Sequence, residues 1–290
     1  MRFGIGTAQF GMDYGISNTG GRTPPEEVDR ILRIAAEAGV RDLDTAAVYG
    51  ESETVLGERL PAGHGFRIVT KTSPDYSAAG GKYASLEQAL DASLARLRQH
   101  KVYGLLVHRA PDLLGGEAER RYEELRALKE NGKVEKIGVS VYSGEEIDAL
   151  AERFRLDLVQ VPISVLDQRL LASGHLARLL AAGIEVHARS VFLQGLLLMP
   201  LERIPAHFEP IKPLLAHYHR SVREQGLSLL EAALGFVKRL TEVNVLFVGA
   251  STARQLQACI AAYRCAKSFD GASFACFDPE MVNPSRWPIA

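Results

Sequence analysis

Short β-branched or apolar runs alternate with amphipathic segments from one end of the chain to the other, the pattern of repeated βα units feeding a parallel sheet. The runs predict eight strands, at Phe3–Thr7, Asp42–Thr45, Arg67–Lys71, Val102–His108, Lys136–Ser140, Leu158–Pro162, Glu185–Ser190 and Val245–Gly249. Apolar residues at three- and four-residue intervals predict helices at Glu26–Ala38, Ser52–Leu60, Leu86–Arg98, Ala118–Asn131, Glu145–Phe154, His175–Ala182, Leu229–Leu240 and Ala253–Ala262. Glycine marks three helix ends, at Ala38-Gly39, Asn131-Gly132 and Ala182-Gly183, and Pro24 and Pro25 suit the first turn of the opening helix. Each strand thus has its helix, and the fold class expected is α/β, a (β/α)8 TIM barrel.

No linker or low-complexity run divides the chain, so residues 1–290 read as a single domain. The longest irregular stretches are 194–219 and 268–290, candidate lid or tail loops because long loops on the catalytic face of a barrel often carry substrate contacts. They hold Phe208 and Trp287, for which packing against the barrel is the simpler expectation.

Composition narrows the class. With 290 residues, 47% hydrophobic and 24% charged, the chain has the size and core of one barrel. Its 34 basic and 35 acidic residues leave a net charge of -1, which argues against nucleic acid or a membrane surface as partner and leaves a small molecule. Oligomeric state has no signal in the pattern. The three cysteines, Cys259, Cys265 and Cys276, match neither a CxxC motif nor a zinc spacing, and read as reduced thiols. Met1 to Phe10 lacks the basic and long apolar segments of a signal peptide, and no apolar run reaches a membrane span of roughly 18 residues, so the cytoplasm is the expected compartment.

Four polar side chains fall at or just beyond the carboxyl ends of the second, third and fourth strands: Asp44, Tyr49, Lys71 and His108. In a barrel that rim is where catalysis sits. Each alone suits a turn, a surface or a loop, but together they suit reduction of a carbonyl, where hydride delivered to carbon builds charge on oxygen that an acid must neutralise. A lysine ammonium near Tyr49 would be expected to lower its pKa from about 10. Lys71 in turn needs a carboxylate to stay charged in a dry pocket, and Asp44 is placed to supply it. A neutral His108 could donate to the substrate oxygen. His207, His217 and His219 do not make a metal site, since positions two apart share no helical face and no acidic cluster accompanies them. Gly4-Ile5-Gly6-Thr7-Ala8-Gln9 fails as a Rossmann fingerprint because Gln9 stands at the third glycine and no helix opens there to take a pyrophosphate.

Leu43-Asp44-Thr45-Ala46 through Tyr49-Gly50-Glu51-Ser52-Glu53, then Leu56-Gly57, closely resembles the signature of the aldo-keto reductase family. Thr70-Lys71, Leu106-Val107-His108 and Ile137-Gly138-Val139-Ser140 resemble its next three blocks in order, and the opening Gly6-Thr7-Ala8-Gln9-Phe10-Gly11 with Asp13-Tyr14-Gly15-Ile16 is similar to a bacterial branch. The resemblance implies carbonyl reduction with an Asp-Tyr-Lys-His tetrad at Asp44, Tyr49, Lys71 and His108. It also implies NADP(H), with NAD(H) as the alternative, extended across the barrel mouth. Gly6, Thr7, Ala8 and Asp44 belong to the implied cofactor rim. Ser140 and Gln160 fit positions that hydrogen-bond the nicotinamide carboxamide, with Val141 where an asparagine is usual. Arg189 stands where an aromatic usually stacks on the nicotinamide, and reads either as a guanidinium stack or as a rim ion pair. The segment Ser190-Val191-Phe192-Leu193-Gln194-Gly195 is similar to one that wraps the pyrophosphate, Ser190, Phe192, Gln194 and Gly195 being its candidate contacts. Gly249-Ala250-Ser251 resembles the turn that meets the adenosine phosphate. There Gly249 stands for a usual lysine, Gln255 for a usual arginine, Cys259 for an asparagine against adenine, and Arg254 is the nearest cation.

Two rival readings remain open at this level. One is an aldolase with Lys71 as a Schiff-base lysine. The other is a redox-sensing subunit that binds the dinucleotide and hardly turns it over. The substrate, a small carbonyl compound, would be chosen by the loops after Phe10, Arg109, Gln194 and Ser268.

Overall fold

The computed structural model describes residues 1–72 and 83–288. Eight parallel strands, β1 (Arg2–Gly6), β2 (Asp42–Asp44), β3 (Arg67–Lys71), β4 (Val102–Val107), β5 (Val134–Ser140), β6 (Leu158–Pro162), β7 (Glu185–Arg189) and β8 (Val245–Gly249), close into a barrel in sequence order. β1 seals the ring between β2 and β8, with Gly6 opposite both Asp44 and Gly249. All eight expected strands are present; β5 begins two residues early, at Val134. The eight expected helices are also found, the first at Pro25–Glu37 and the last at Ala253–Cys265.

The exception lies between β7 and the Leu229–Lys238 helix. Within 194–219, expected to be irregular, the chain makes three 3-10 segments and then a regular helix, Lys212–Glu224. Prolines at 200, 205, 210 and 213 read as loop signals, yet proline is welcome in a first helical turn, which is where Pro213 sits. Leu215, Tyr218 and Val222 then share the buried face of that helix. The tail is likewise built of short helical turns, at Ala272–Phe274, Pro279–Val282 and Pro284–Arg286; its last two residues lie outside the described residues. Phe208 and Trp287 are buried edge-to-face on one another, ring centroids 4.8 Å apart, so they pack as core.

Strand periodicity explains what fills the barrel, because every second residue points inward. At the amino-terminal floor Arg2 and Arg67 bind Asp42, and Glu185 accepts from Arg2, Tyr103, Lys136 and His187. That donor set outweighs the opposing effect of burial and holds the Glu185 carboxyl far below its usual range. Above the floor lies an apolar belt of Val69, Leu106 and Leu158, narrowed at Gly138, where a Cβ would overlap the Leu158 carbonyl oxygen. Two residues further along the same strands come Lys71, His108, Ser140 and Gln160. The alternation that packs the belt therefore lifts polar side chains to the carboxyl-end rim.

Candidate active site

Asp44 and Lys71 end β2 and β3 and meet inside the rim. The Lys71 ammonium donates to both Asp44 carboxylate oxygens at 2.6 and 2.7 Å and to the Thr45 carbonyl at 3.0 Å, with its side chain 1% exposed. Gln160 of β6 donates its Nε2 to Asp44 Oδ1 at 2.7 Å. Burial pushes the Lys71 pKa down, and the Asp44 carboxylate opposes that push.

Tyr49 reaches the same point from the turn after β2. Its amide donates to the Ala46 carbonyl and its carbonyl accepts from Ser52 N–H, both at 3.0 Å. Ser52 Oγ ties the turn to β1 by donating to the Thr7 carbonyl at 2.8 Å, with the Thr7 and Thr45 hydroxyls at 2.9 and 3.0 Å. The close approach needs two glycines. A Cβ on Gly11 would strike the Tyr49 carbonyl, and Gly50 has φ +53° with its α-hydrogens against Gly11. So placed, the Tyr49 ring lies with its centroid 5.1 Å from Lys71 Nζ and meets the His108 ring edge-to-face at 5.7 Å.

The electrostatics depart from expectation in one respect. Burial, and after it the Asp44 carboxylate, raises the Tyr49 pKa rather than lowering it. Burial leads because a phenolate there would lose its water, and the tight ion pair adds to it: Asp44 neutralises Lys71, so little positive potential is left for the phenol, which keeps its proton. The His108 imidazole is shifted the other way. Burial foremost, then the charges of Lys71, Arg189 and Arg109, push its pKa down to about 3, so the imidazole is neutral, and its Nδ1 is buried without a hydrogen-bond partner.

These groups open on a cavity of about 530 Å3 at the carboxyl ends of the strands. Asp44, Tyr49 and His108 line it, whereas Lys71 is not on its surface and acts from behind Asp44. The other cofactor-matched residues that line it are Gly6, Thr7, Ala8, Ser140, Gln160, Arg189, Ser190, Phe192, Gln194, Gly195, Gly249, Ser251 and Gln255. Ala250 is buried away from it, and Arg254 is exposed and outside it, so these two are not brought to the site. Ser190, Leu193 and Gln194 have φ of 60°, 46° and 53°, an unusual left-handed run of non-glycine residues that is completed by Gly195 at 97°. Arg189 is half-buried over the Tyr142 ring, 4.1 Å from guanidinium carbon to centroid. It is in no ion pair with a described residue, which sets aside the rim ion-pair reading.

At the far end of the cavity the turn after β8 is internally bonded. Ser251 N–H donates to Gln255 Oε1 at 2.8 Å, Gln255 N–H to Thr252 Oγ1 at 3.1 Å, and Ala253 N–H to the Glu27 carboxylate at 2.5 Å.

Sequence reading missed several lining residues. Tyr142 sits two beyond Ser140, and period-two reasoning carried one step past the strand would have found it. Tyr14 and Ser17 belong to the glycine-rich loop after β1, and burial pushes the Tyr14 phenol up to about 12. Ser17 donates its N–H and its hydroxyl to the Gln194 carbonyl at 3.3 and 3.1 Å, joining that loop to the one after β7. Leu198, Leu230 and Phe247 add apolar wall.

The site fits a nicotinamide on its own chemistry, since Gln160 Oε1 is a buried acceptor with no partner and Gln160 is the register partner of Ser140, which lines the same cavity. Among the described residues no group of three or more His, Cys, Asp or Glu side chains could hold a metal ion, and no helix is long and apolar enough to cross a membrane.

Comparison with known proteins agrees with the barrel fold. The chain is 31% identical over 207 residues to a 6-dehydroglucose reductase of Novosphingobium aromaticivorans, covering 62% of this chain and 63% of that protein. It is 26% identical over 179 residues to the aldo-keto reductase YhdN of Bacillus subtilis, 58% of this chain and 52% of the relative. The matches thus span between half and two thirds of those relatives. Its fold superposes on the holo form of aldo-keto reductase AKR11C1 from Bacillus halodurans with a TM-score of 0.74 at 20% identity, over 92% of this chain and 87% of that one. The family model described as the aldo/keto reductase family matches residues 2–275, from the first strand of the barrel to the turns of its tail, and the chain belongs to that family.

Proposed function

We propose that this chain is an oxidoreductase that reduces an aldehyde or ketone to an alcohol with a nicotinamide dinucleotide, Tyr49 being the proton donor. The observation that carries the reading is the meeting, on one cavity wall, of a buried Asp44–Lys71 pair, a protonated phenol and a neutral imidazole. When bound, the reduced nicotinamide supplies the hydride; Ser140 and the free Gln160 Oε1 would hold its carboxamide. Tyr49 gives its proton to the substrate oxygen as negative charge builds there. The phenolate so formed lies beside Lys71, whose N–H groups are already oriented by Asp44. His108, neutral, orients the carbonyl oxygen toward Tyr49 and excludes water from that side.

A preference for NADPH has little support in this turn. Among the described residues no cationic side chain lines the cavity beyond Gly249, and the Glu27 carboxylate occupies an amide there. NADH is therefore expected to serve at least as well as NADPH. The aldolase reading loses ground because Lys71 donates to three oxygens and does not face the cavity. A Schiff-base lysine needs a free, deprotonated, accessible amine.

The test is oxidation of NADH and NADPH by a panel of aldehydes, ketones and sugars, followed at the nicotinamide absorbance. Tyr49→Phe should lower kcat about 10²- to 10⁴-fold while leaving dinucleotide affinity within a few-fold. Near-normal turnover by that variant would remove Tyr49 from the role, and tight dinucleotide binding with no turnover by the wild type would favour the sensor.

A further inference from the structure

The amino-terminal end of the barrel, opposite the candidate active site, holds a second cavity of about 330 Å3 that shares no lining residue with the first. It lies where the turn after the Pro25–Glu37 helix meets the start of β1 and the end of the Ala253–Cys265 helix. Among its described lining residues Arg2, Arg41, Arg67 and Arg264 face a single carboxylate, Asp42. That carboxylate is spent in the floor, where its Oδ2 accepts from both Arg2 and Arg67, and Arg2 also donates to Glu185. Arg41 and Arg264 have no such partner. Arg41 donates Nη1 to the Ala36 and Val40 carbonyls at 3.0 and 2.9 Å, and Arg264 donates Nη2 to the Ala38 carbonyl at 2.9 Å. Neither is in an ion pair with a described residue. A cation suits a helix carboxyl end, which accounts for one nitrogen of each. The other terminal nitrogen and Nε of each stay uncommitted, and two like charges anchored on the same helix end are stabilised by a shared anion. The opposite side of the cavity is apolar: Phe3 and Tyr263, ring centroids 5.2 Å apart, with Val40 and Ile260. The Tyr263 ring is fixed by its hydroxyl, which donates to the Met1 carbonyl at 2.9 Å.

We propose that this cavity is a binding site for a small organic phosphate, its dianionic head shared by Arg41 and Arg264 and its organic part laid against Tyr263 and Phe3. Two uncompensated guanidinium groups call for two negative charges, and their planar forks of N–H groups match phosphate oxygens. The apolar wall calls for more than a bare ion. The site stands independently of the reductase reading, since its residues lie at the end of the barrel away from Tyr49.

Phenyl phosphate is the probe, titrated calorimetrically at low ionic strength into the full chain, with inorganic phosphate and sulfate beside it. The wild type is expected to bind phenyl phosphate with a Kd below about 1 mM, and inorganic phosphate and sulfate about tenfold more weakly. The double variant Arg41→Met/Arg264→Met keeps both stems and should bind phenyl phosphate about tenfold or more weakly than the wild type. Arg41→Lys/Arg264→Lys, which keeps the charges and loses the forks, should fall between the two. Raising the salt concentration should weaken wild-type binding. A wild type that binds the probe no better than the double methionine variant would overturn the proposal. So would inorganic phosphate or sulfate binding as tightly as phenyl phosphate, which would leave an adventitious ion only. Repeating the titration with NADH present separates the two ends of the barrel. Binding that NADH abolishes and the double substitution leaves intact would place the probe at the barrel mouth and end the assignment.

Discussion

Lys71→Met isolates the central ion pair. Methionine matches the length of the stem but leaves the Asp44 carboxylate buried with one remaining donor, Gln160 Nε2 at 2.7 Å. Breaking a buried pair from one side costs about 3–5 kcal/mol. An unfolding entropy of about 2.1 cal/mol/K per residue over 290 residues is about 0.6 kcal/mol/K, so the expected fall in Tm near neutral pH is about 5–8 °C. The deficit should depend on pH with a definite sign. In the variant the stranded carboxyl is expected to hold a proton to higher pH in the folded state than its unfolded value of about 3.9. A group raised in this way does no harm below the unfolded value and costs stability as pH rises through the folded one. The gap to wild type should therefore be small near pH 4 and widen toward pH 8. Adding Asp44→Asn, which removes the stranded charge, should bring the double variant to within about 2 kcal/mol of wild type. Melting followed by the fluorescence of Trp287, the single tryptophan, reads all three proteins across pH. A single variant no less stable than wild type, or a double variant no better than the single, would refute the reasoning.

Two further outcomes follow from the same geometry. His108 titrates at about 3 when folded and near 6.5 when unfolded, so the unfolded chain binds the extra proton between those values. Its contribution to stability is complete above pH 6.5 and is lost as pH falls toward 3; His108→Asn should melt with a flatter pH dependence over that range, and superimposable slopes would contradict it. Gly138→Ala would drive a Cβ into the Leu158 carbonyl oxygen across the β5–β6 pair, where backbone on both sides must move. Destabilisation of at least about 2 kcal/mol is expected, larger than for Gly104→Ala, whose neighbours at 3.2 Å are the movable side chains of Leu158 and Val69. Comparable melting of the two variants would show that the barrel interior yields there.

Strand existence and order were legible because buried parallel strands write themselves as short β-branched runs. Asp44, Tyr49 and His108 were legible because the ends of such runs are rim positions in a closed barrel. What local pattern could not reveal depends on residues far apart in sequence. The Glu27 carboxylate meets the Ala253 amide across 226 positions, and nothing near either residue announces it. The direction of the Tyr49 shift is not legible locally, because it is set by burial of the phenol first and then by Asp44, which also takes up the Lys71 ammonium. The Lys212–Glu224 helix was hidden by prolines whose role depends on whether they open or interrupt a helix.

The layered interior has a consequence for the supply of protons. From the floor, hydrogen bonding climbs from Glu185 to His187 and stops, since the imidazole Nδ1 has no partner. Above it, Val69, Leu106 and Leu158 act as a dry stopper in the tube. Under the proposed function, each proton consumed in a turnover would be drawn from bulk water through the same opening that admits the reactants, and whatever crowds that opening would also govern how fast Tyr49 is recharged.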